Sequence, residues 1–138
     1  MAKSIKLKND TYIDSTGVVH NREKLSDILV NIFNAINDSG KKTPNFINNW
    51  SSKSFNPCYY RKVGKIVYIY GVIGGGNGSD IFTLPTGYRP VKPYCSFVCR
   101  NDTGTCRILV NDSGIVTYEN INGNGGEVSL YGISFFVD

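Results

Sequence analysis

The chain has 138 residues, 41% of them hydrophobic and 19% charged, with 15 glycines, proportions that suit one turn-rich domain with an appendage and exclude two full domains. Its formal net charge of +4 does not point to nucleic acid once it is divided along the chain. Residues 1–62 hold ten Lys/Arg against five acids and residues 63–138 hold five against six, so the basicity lies outside the β-rich half, where a base-stacking platform would need it.

No stretch of 18 apolar residues occurs, and the basic start Lys3, Lys6 and Lys8 has no hydrophobic segment behind it. Neither membrane insertion nor Sec secretion is therefore expected, and Cys58, Cys95, Cys99 and Cys106 are read as reduced thiols of a cytosolic product. A core of this size folds without disulfides or metal.

Residues 1–20 alternate weakly around the turn signals Asn9-Asp10 and Ser15-Thr16-Gly17 and are expected to form an extended N-terminal arm, with a hairpin as the alternative. Residues 21–40 follow as one short helix, with Asn21 placed to cap it, Glu23 and Asp27 near its N-terminal end, and Ser39-Gly40 to stop it. Leu25, Ile28, Ile32 and Ala35 fall at a/d heptad spacing, and Leu29 and Ile36 widen the stripe. Such a helix can pack on its own domain or associate with other copies of itself. The second arrangement makes those four residues an oligomer seam. Residues 41–54 read as a polar connector.

Residues 55–138 change to a period of two, punctuated by Gly, Pro and Asn, as in a sandwich or barrel. Strands are expected at 55–62, 65–73, 79–83, 94–100, 105–110 continuing at 115–118, and 127–137. Val63-Gly64, Asp102-Thr103-Gly104 and Asn111-Asp112-Ser113-Gly114 supply hairpin turns. No helical pattern of three turns appears after residue 40, which excludes βαβ architecture and leaves an antiparallel, mainly β fold.

Catalytic and metal motifs are scarce. Gly74-Gly75-Gly76-Asn77-Gly78-Ser79 lacks the Lys-Ser/Thr of a phosphate loop and leads into a strand, so it reads as a flexible connection, as does Gly123-Asn124-Gly125-Gly126. Cys95-x3-Cys99-x6-Cys106 departs from zinc-knuckle spacing and the single histidine, His20, is distant. Cys95, Phe97 and Cys99 share one strand face and read as core, with a Cys99–Cys106 bridge as the alternative. No carboxylate pair is adjacent in sequence, although a pair could meet across strands. No enzyme activity, cofactor or metal is expected. Tyr68 and Tyr70 line one strand face, suited to core, subunit interface or sugar stacking.

The order Tyr60-Arg61-Lys62-Val63-Gly64-Lys65-Ile66-Val67-Tyr68-Ile69-Tyr70-Gly71-Val72-Ile73, then Leu84-Pro85-Thr86-Gly87-Tyr88-Arg89-Pro90, then Gly114-Ile115-Val116 and Leu130-Tyr131-Gly132-Ile133-Ser134-Phe135, resembles the C-terminal heads of bacteriophage tail-fibre and baseplate receptor-binding proteins. The resemblance covers residues 58–138. It implies a homotrimer of jelly-roll β-sandwich heads on the virion surface, assembled in the bacterial cytoplasm. The N-terminal arm would join other virion proteins. The ligand would be a host surface polysaccharide or teichoic-acid-like polymer. The alternative is a structural virion component, such as a head fibre, tail tip or assembly adaptor, without glycan affinity. Trp50, Tyr88, Arg100 and Asp102 are the candidate ligand residues, chosen as exposed aromatic, hydrogen-bonding and turn positions. The family's receptor contacts vary between members, so none is carried over.

Overall fold

The computed structural model describes residues 5–6, 11–13, 15–123 and 125–138. The chain forms two compact units, Met1–Asn37 and Asp38–Asp138.

In the first unit, β1 (Ile5–Lys6), β2 (Thr11–Ile13) and β3 (Val19–Asn21) pair antiparallel in chain order, with Ile5 opposite Ile13 and Thr11 opposite Asn21. The hairpin alternative, extended to a small meander, thus stands in place of an extended arm, because backbone pairing satisfies N–H and C=O groups that a lone arm would leave to water. The helix α1 (Arg22–Ala35) follows directly. Ile28, Ile32 and Phe33 are 49%, 50% and 67% exposed, and Leu29, Val30 and Ile36 are exposed as well. The side chains of Leu25 and Ala35 lie outside the described residues.

The second unit contains β4 (Ser51–Ser52), β5 (Tyr59–Val63), β6 (Ile66–Tyr70), β7 (Val72–Gly74), β8 (Asp80–Thr83), β9 (Tyr94–Arg100), β10 (Thr105–Asn111), β11 (Ile115–Asn120), β12 (Val128–Ser129) and β13 (Ile133–Phe136). All named pairs are antiparallel. One layer is the four-stranded sheet β8-β11-β10-β9, and the other is made of β13-β6-β5 and β12-β7-β4. The latter two continue one another through a bend at Gly71, which separates β6 from β7. Gly71 has φ +104, and an added Cβ there would run into the backbone of Pro57 and Cys58.

The period-two alternation does what the sequence predicts. Val67 and Ile69 of β6, Ile73, Val128, Ile133 and Phe135 face Phe82, Cys106, Ile108, Val110 and Val116 in one buried cluster. The Phe97 and Phe135 rings meet at 6.4 Å. Each such aliphatic or aromatic side chain stabilises the fold by about 1.5–3 kcal/mol relative to exposure. The result is an antiparallel β-sandwich.

Residues 41–54 are not a connector. Lys42 pairs with Tyr60 and Phe46 with Phe82, Ser51–Ser52 adds a strand beside β7, and Pro44 and Trp50 are buried. Their polar side chains hide this role, because the pairing is made by backbone groups. Asp38 already pairs with Val63, and its carboxylate meets Arg61.

Candidate functional site: a groove walled by glycine loops

A turn at Ile47–Trp50 begins the site. Asn48 and Asn49 both adopt left-handed backbone, φ +51 and +59, a conformation that Asn tolerates better than most residues. The Trp50 N–H closes the turn onto the Ile47 carbonyl at 3.1 Å. The Asn48 side-chain amide donates to the Asp80 carbonyl at 2.9 Å, so the turn is tied to the start of β8.

This places Trp50 under the glycine loop. Its indole N–H donates to the Gly78 carbonyl at 2.9 Å, and the Asn77 N–H donates to the Asn48 carbonyl at 2.9 Å. Gly76 lies flat against the indole; a Cβ there would overlap the ring. The loop that the sequence presents as flexible is therefore held down by two hydrogen bonds and an aromatic contact. Trp50 is only 7% exposed, which corrects its expected role as an exposed aromatic: the ring supports the loop from below and packs on Tyr118 at 5.3 Å.

The opposite wall is built around Asn101, a buried polar residue 1% exposed. Its amide donates to Asn120 Oδ1 and to the Asn122 carbonyl, both at 3.1 Å, and its Oδ1 accepts from the Gly104 N–H at 2.7 Å. That network fixes the β9–β10 turn and presents the exposed Asp102 beside Gly126, whose Cα approaches so closely that a Cβ would strike the carboxylate. Close approach thus accounts for Gly76 and Gly126, whereas Gly75 and Gly123 adopt positive φ, +81 and +86.

Between the walls lies an open groove of about 990 Å³. Trp50, Lys53, Asn77, Ser79, Asp102, Tyr118, Asn120 and Glu127 line it together with glycines 75, 76, 78, 125 and 126. Lys53 Nζ sits 3.4 Å from Glu127. Tyr118 Oη is buried with no hydrogen-bond partner among the described residues. A hollow of about 200 Å³ adjoins the groove across Asp102 and Glu127 and is bounded by Arg100 and by Phe55, which is 70% exposed.

Of the four sequence candidates, Trp50 and Asp102 meet in the groove and Arg100 in the adjoining hollow. Tyr88 stands elsewhere. It is half-buried, edge-on to Tyr60 at 5.2 Å with Lys62 over its ring, which corrects its expected exposure and explains the LPxGYRP turn as packing. Phe55, Tyr118 and Glu127 were not singled out as ligand residues, and no local motif marks them. The carboxylates of Asp102 and Glu127, far apart in sequence, do share the groove.

Tyr68 and Tyr70 point away from the core and stack at 5.9 Å, with Tyr59 and Tyr131 against Tyr70 at 5.2 and 6.0 Å. Their rings are half-buried by one another, and Tyr131 Oη donates to Asn56 at 2.6 Å. The four thiols are free. Cys99 and Cys106 are cross-strand neighbours on the core face, with the Cys106 thiol 3.5 Å from the Cys99 carbonyl. Burial pushes Cys58 up to about 12, and burial with the nearby Cys106 does the same to Cys99, so neither thiol is an available nucleophile at neutral pH. Among the described residues no group of three His, Cys, Asp or Glu could hold a metal ion, and no helix is long and apolar enough to cross a membrane.

A mainly β, antiparallel sandwich with a loop-built groove is thus the class of structure this chain adopts. Among solved structures it is similar to the receptor binding protein gp15 of Listeria phage PSA, with a TM-score of 0.67 and 17% sequence identity over 84% of this chain and 74% of that one. The two chains share a fold. No family model matches the sequence, and no curated protein matches it.

Proposed function

We propose that the chain is a receptor-binding protein of a phage virion, whose β head attaches to a glycan of the host cell surface without cleaving it. The observation that supports this most is the fold shared with gp15 of Listeria phage PSA over most of both chains. The virion-fibre motifs of residues 60–135 and the polar groove agree with it. Three copies associate through α1, whose exposed Ile28 and Ile32 provide a seam, and the heads are of jelly-roll type. The N-terminal unit joins other virion proteins. Three linked heads multiply a weak single-site affinity without any new contact.

The test is adsorption of the fluorescently labelled full chain to purified cell walls from a panel of bacteria, together with its absolute mass by light scattering. The expected result is adsorption to a restricted set of walls by a species near three chains. No adsorption to any wall at an unchanged trimeric mass would leave a structural virion component as the function. Release of new reducing ends from an adsorbing wall would overturn the non-catalytic part, since Asp102 and Glu127 share one groove.

A further inference from the structure

The groove and the hollow beside it share Asp102 and Glu127, which line both. The geometry points to one continuous track that holds two consecutive sugar units of a glycan and binds their hydroxyls and ring faces rather than any phosphate between them. This inference rests on the receptor-binding reading above.

Charge is the first reason. The groove's ionic side chains are one cation, Lys53, and two carboxylates, and Lys53 is already 3.4 Å from Glu127. Over the whole track Arg100 brings the count to two cations and two carboxylates, so a phosphate would meet no net positive wall.

Unused hydrogen-bonding capacity is the second. Asn77 and Ser79 present exposed polar side chains along the groove, able to donate to and accept from ligand hydroxyls. Asp102, exposed where groove and hollow adjoin, presents a carboxylate that accepts from sugar hydroxyls. The groove's volume of about 990 Å³ leaves room for such a unit with its water.

The hollow supplies the complementary surface. Phe55, 70% exposed, offers a flat apolar face for the C–H side of a second ring, and Arg100 stands beside it with five donors for that ring's oxygens. An exposed Phe beside an exposed Arg, in a hollow that shares two carboxylates with a polar groove, makes little sense for folding alone.

The experiment uses the labelled full chain and a wall to which it adsorbs. Hydrofluoric acid cuts the phosphodiesters of that wall, and the phosphate-free saccharides released are fractionated by length and used as competitors. The two-unit fraction should compete at least tenfold better than the one-unit fraction. Adsorption should change less than about twofold between about 50 and 500 mM salt, because no ion pair with the ligand is being screened. Phe55→Ala and Asp102→Asn should each weaken adsorption about tenfold at an unchanged melting temperature.

Full adsorption by both variants would overturn the track while leaving the receptor-binding reading intact. Competition by poly(glycerol phosphate) but not by the phosphate-free units, with a steep loss in salt, would overturn the choice of sugar over phosphate. Failure of the unaltered chain to adsorb to any wall would overturn the receptor reading, and the track with it.

Discussion

Ile69, Ile73 and Ile108 of the β head are fully buried, whereas Ile28, Ile32 and Ile36 of the N-terminal unit are 49%, 50% and 61% exposed. The residue type is the same, and the difference lies in what each period meets. In the head, a period of two turns every second side chain toward a facing sheet of the same unit, and the stripe closes on itself. On α1, apolar residues at spacings of three and four form a stripe that remains largely in water. Hydrophobic pattern therefore predicts burial only where the fold supplies a second surface. The trimer proposed above supplies one for the helix.

The sharpest way to break this comparison is to charge the helix stripe. Ile28→Asp with Ile32→Asp should convert the trimer to single chains in light scattering and leave the unfolding transition of the head in place. An unchanged mass would assign the association to the head. Next in size, Phe82→Ala should cost the head about 3–5 kcal/mol in denaturant unfolding, because the ring is wholly buried and packs edge-on against Phe46 at 5.8 Å. Ile32→Ala should leave that same transition where it is, and a comparable loss would mean the helix is part of the head's core.

A smaller effect comes from the buried thiols. Burial raises Cys58 and Cys99 from 9.0 to about 12, so the folded state holds their protons more tightly than the unfolded chain does. The stability they contribute is fully present below about pH 9 and is lost as pH rises from about 9 toward 12. The denaturant midpoint should thus be lower at about pH 10.5 than at about pH 8, and replacement of both residues by Ala should reduce that drop. A drop of equal size in the double variant would remove the thiols from the account. The smallest effect belongs to the exposed pair Arg107 and Glu119, joined across β10 and β11, where Arg107→Ala should cost under about 1 kcal/mol. A larger loss would show that this outer face is coupled to the core.

The head was legible in the sequence because alternation is a local signal. The run at 105–110 and the turn Asn111–Gly114 announce β10 and its hairpin, and the structure has Val110 opposite Val116 across a turn with Gly114 at φ +86. The groove was not legible, because its walls come from residues near 50, 75–79, 102, 118–120 and 125–127, which only packing brings together. Its one sequence trace was the glycine in two loops: Gly75 and Gly123 use the backbone freedom this suggests, and Gly76 and Gly126 answer to crowding by Trp50 and Asp102, which the sequence does not show. The start of the second unit at Asp38 was hidden for a related reason. Asp38, Lys42 and Ser51 join the sheets through backbone pairs, which leave no mark in hydropathy.

The groove's walls and its rim stand under different rules of change. At Gly76 any side chain collides with the buried Trp50 ring, so this position is locked by the fold whatever the ligand. Phe55, Arg100 and Ser79 stand exposed at the edges, and what ties Ser79 and Arg100 to the fold is backbone pairing that a changed side chain leaves in place. Mutation can therefore redraw what the site accepts, one exposed side chain at a time, while the backbone trough beneath persists unaltered through successive generations of the gene.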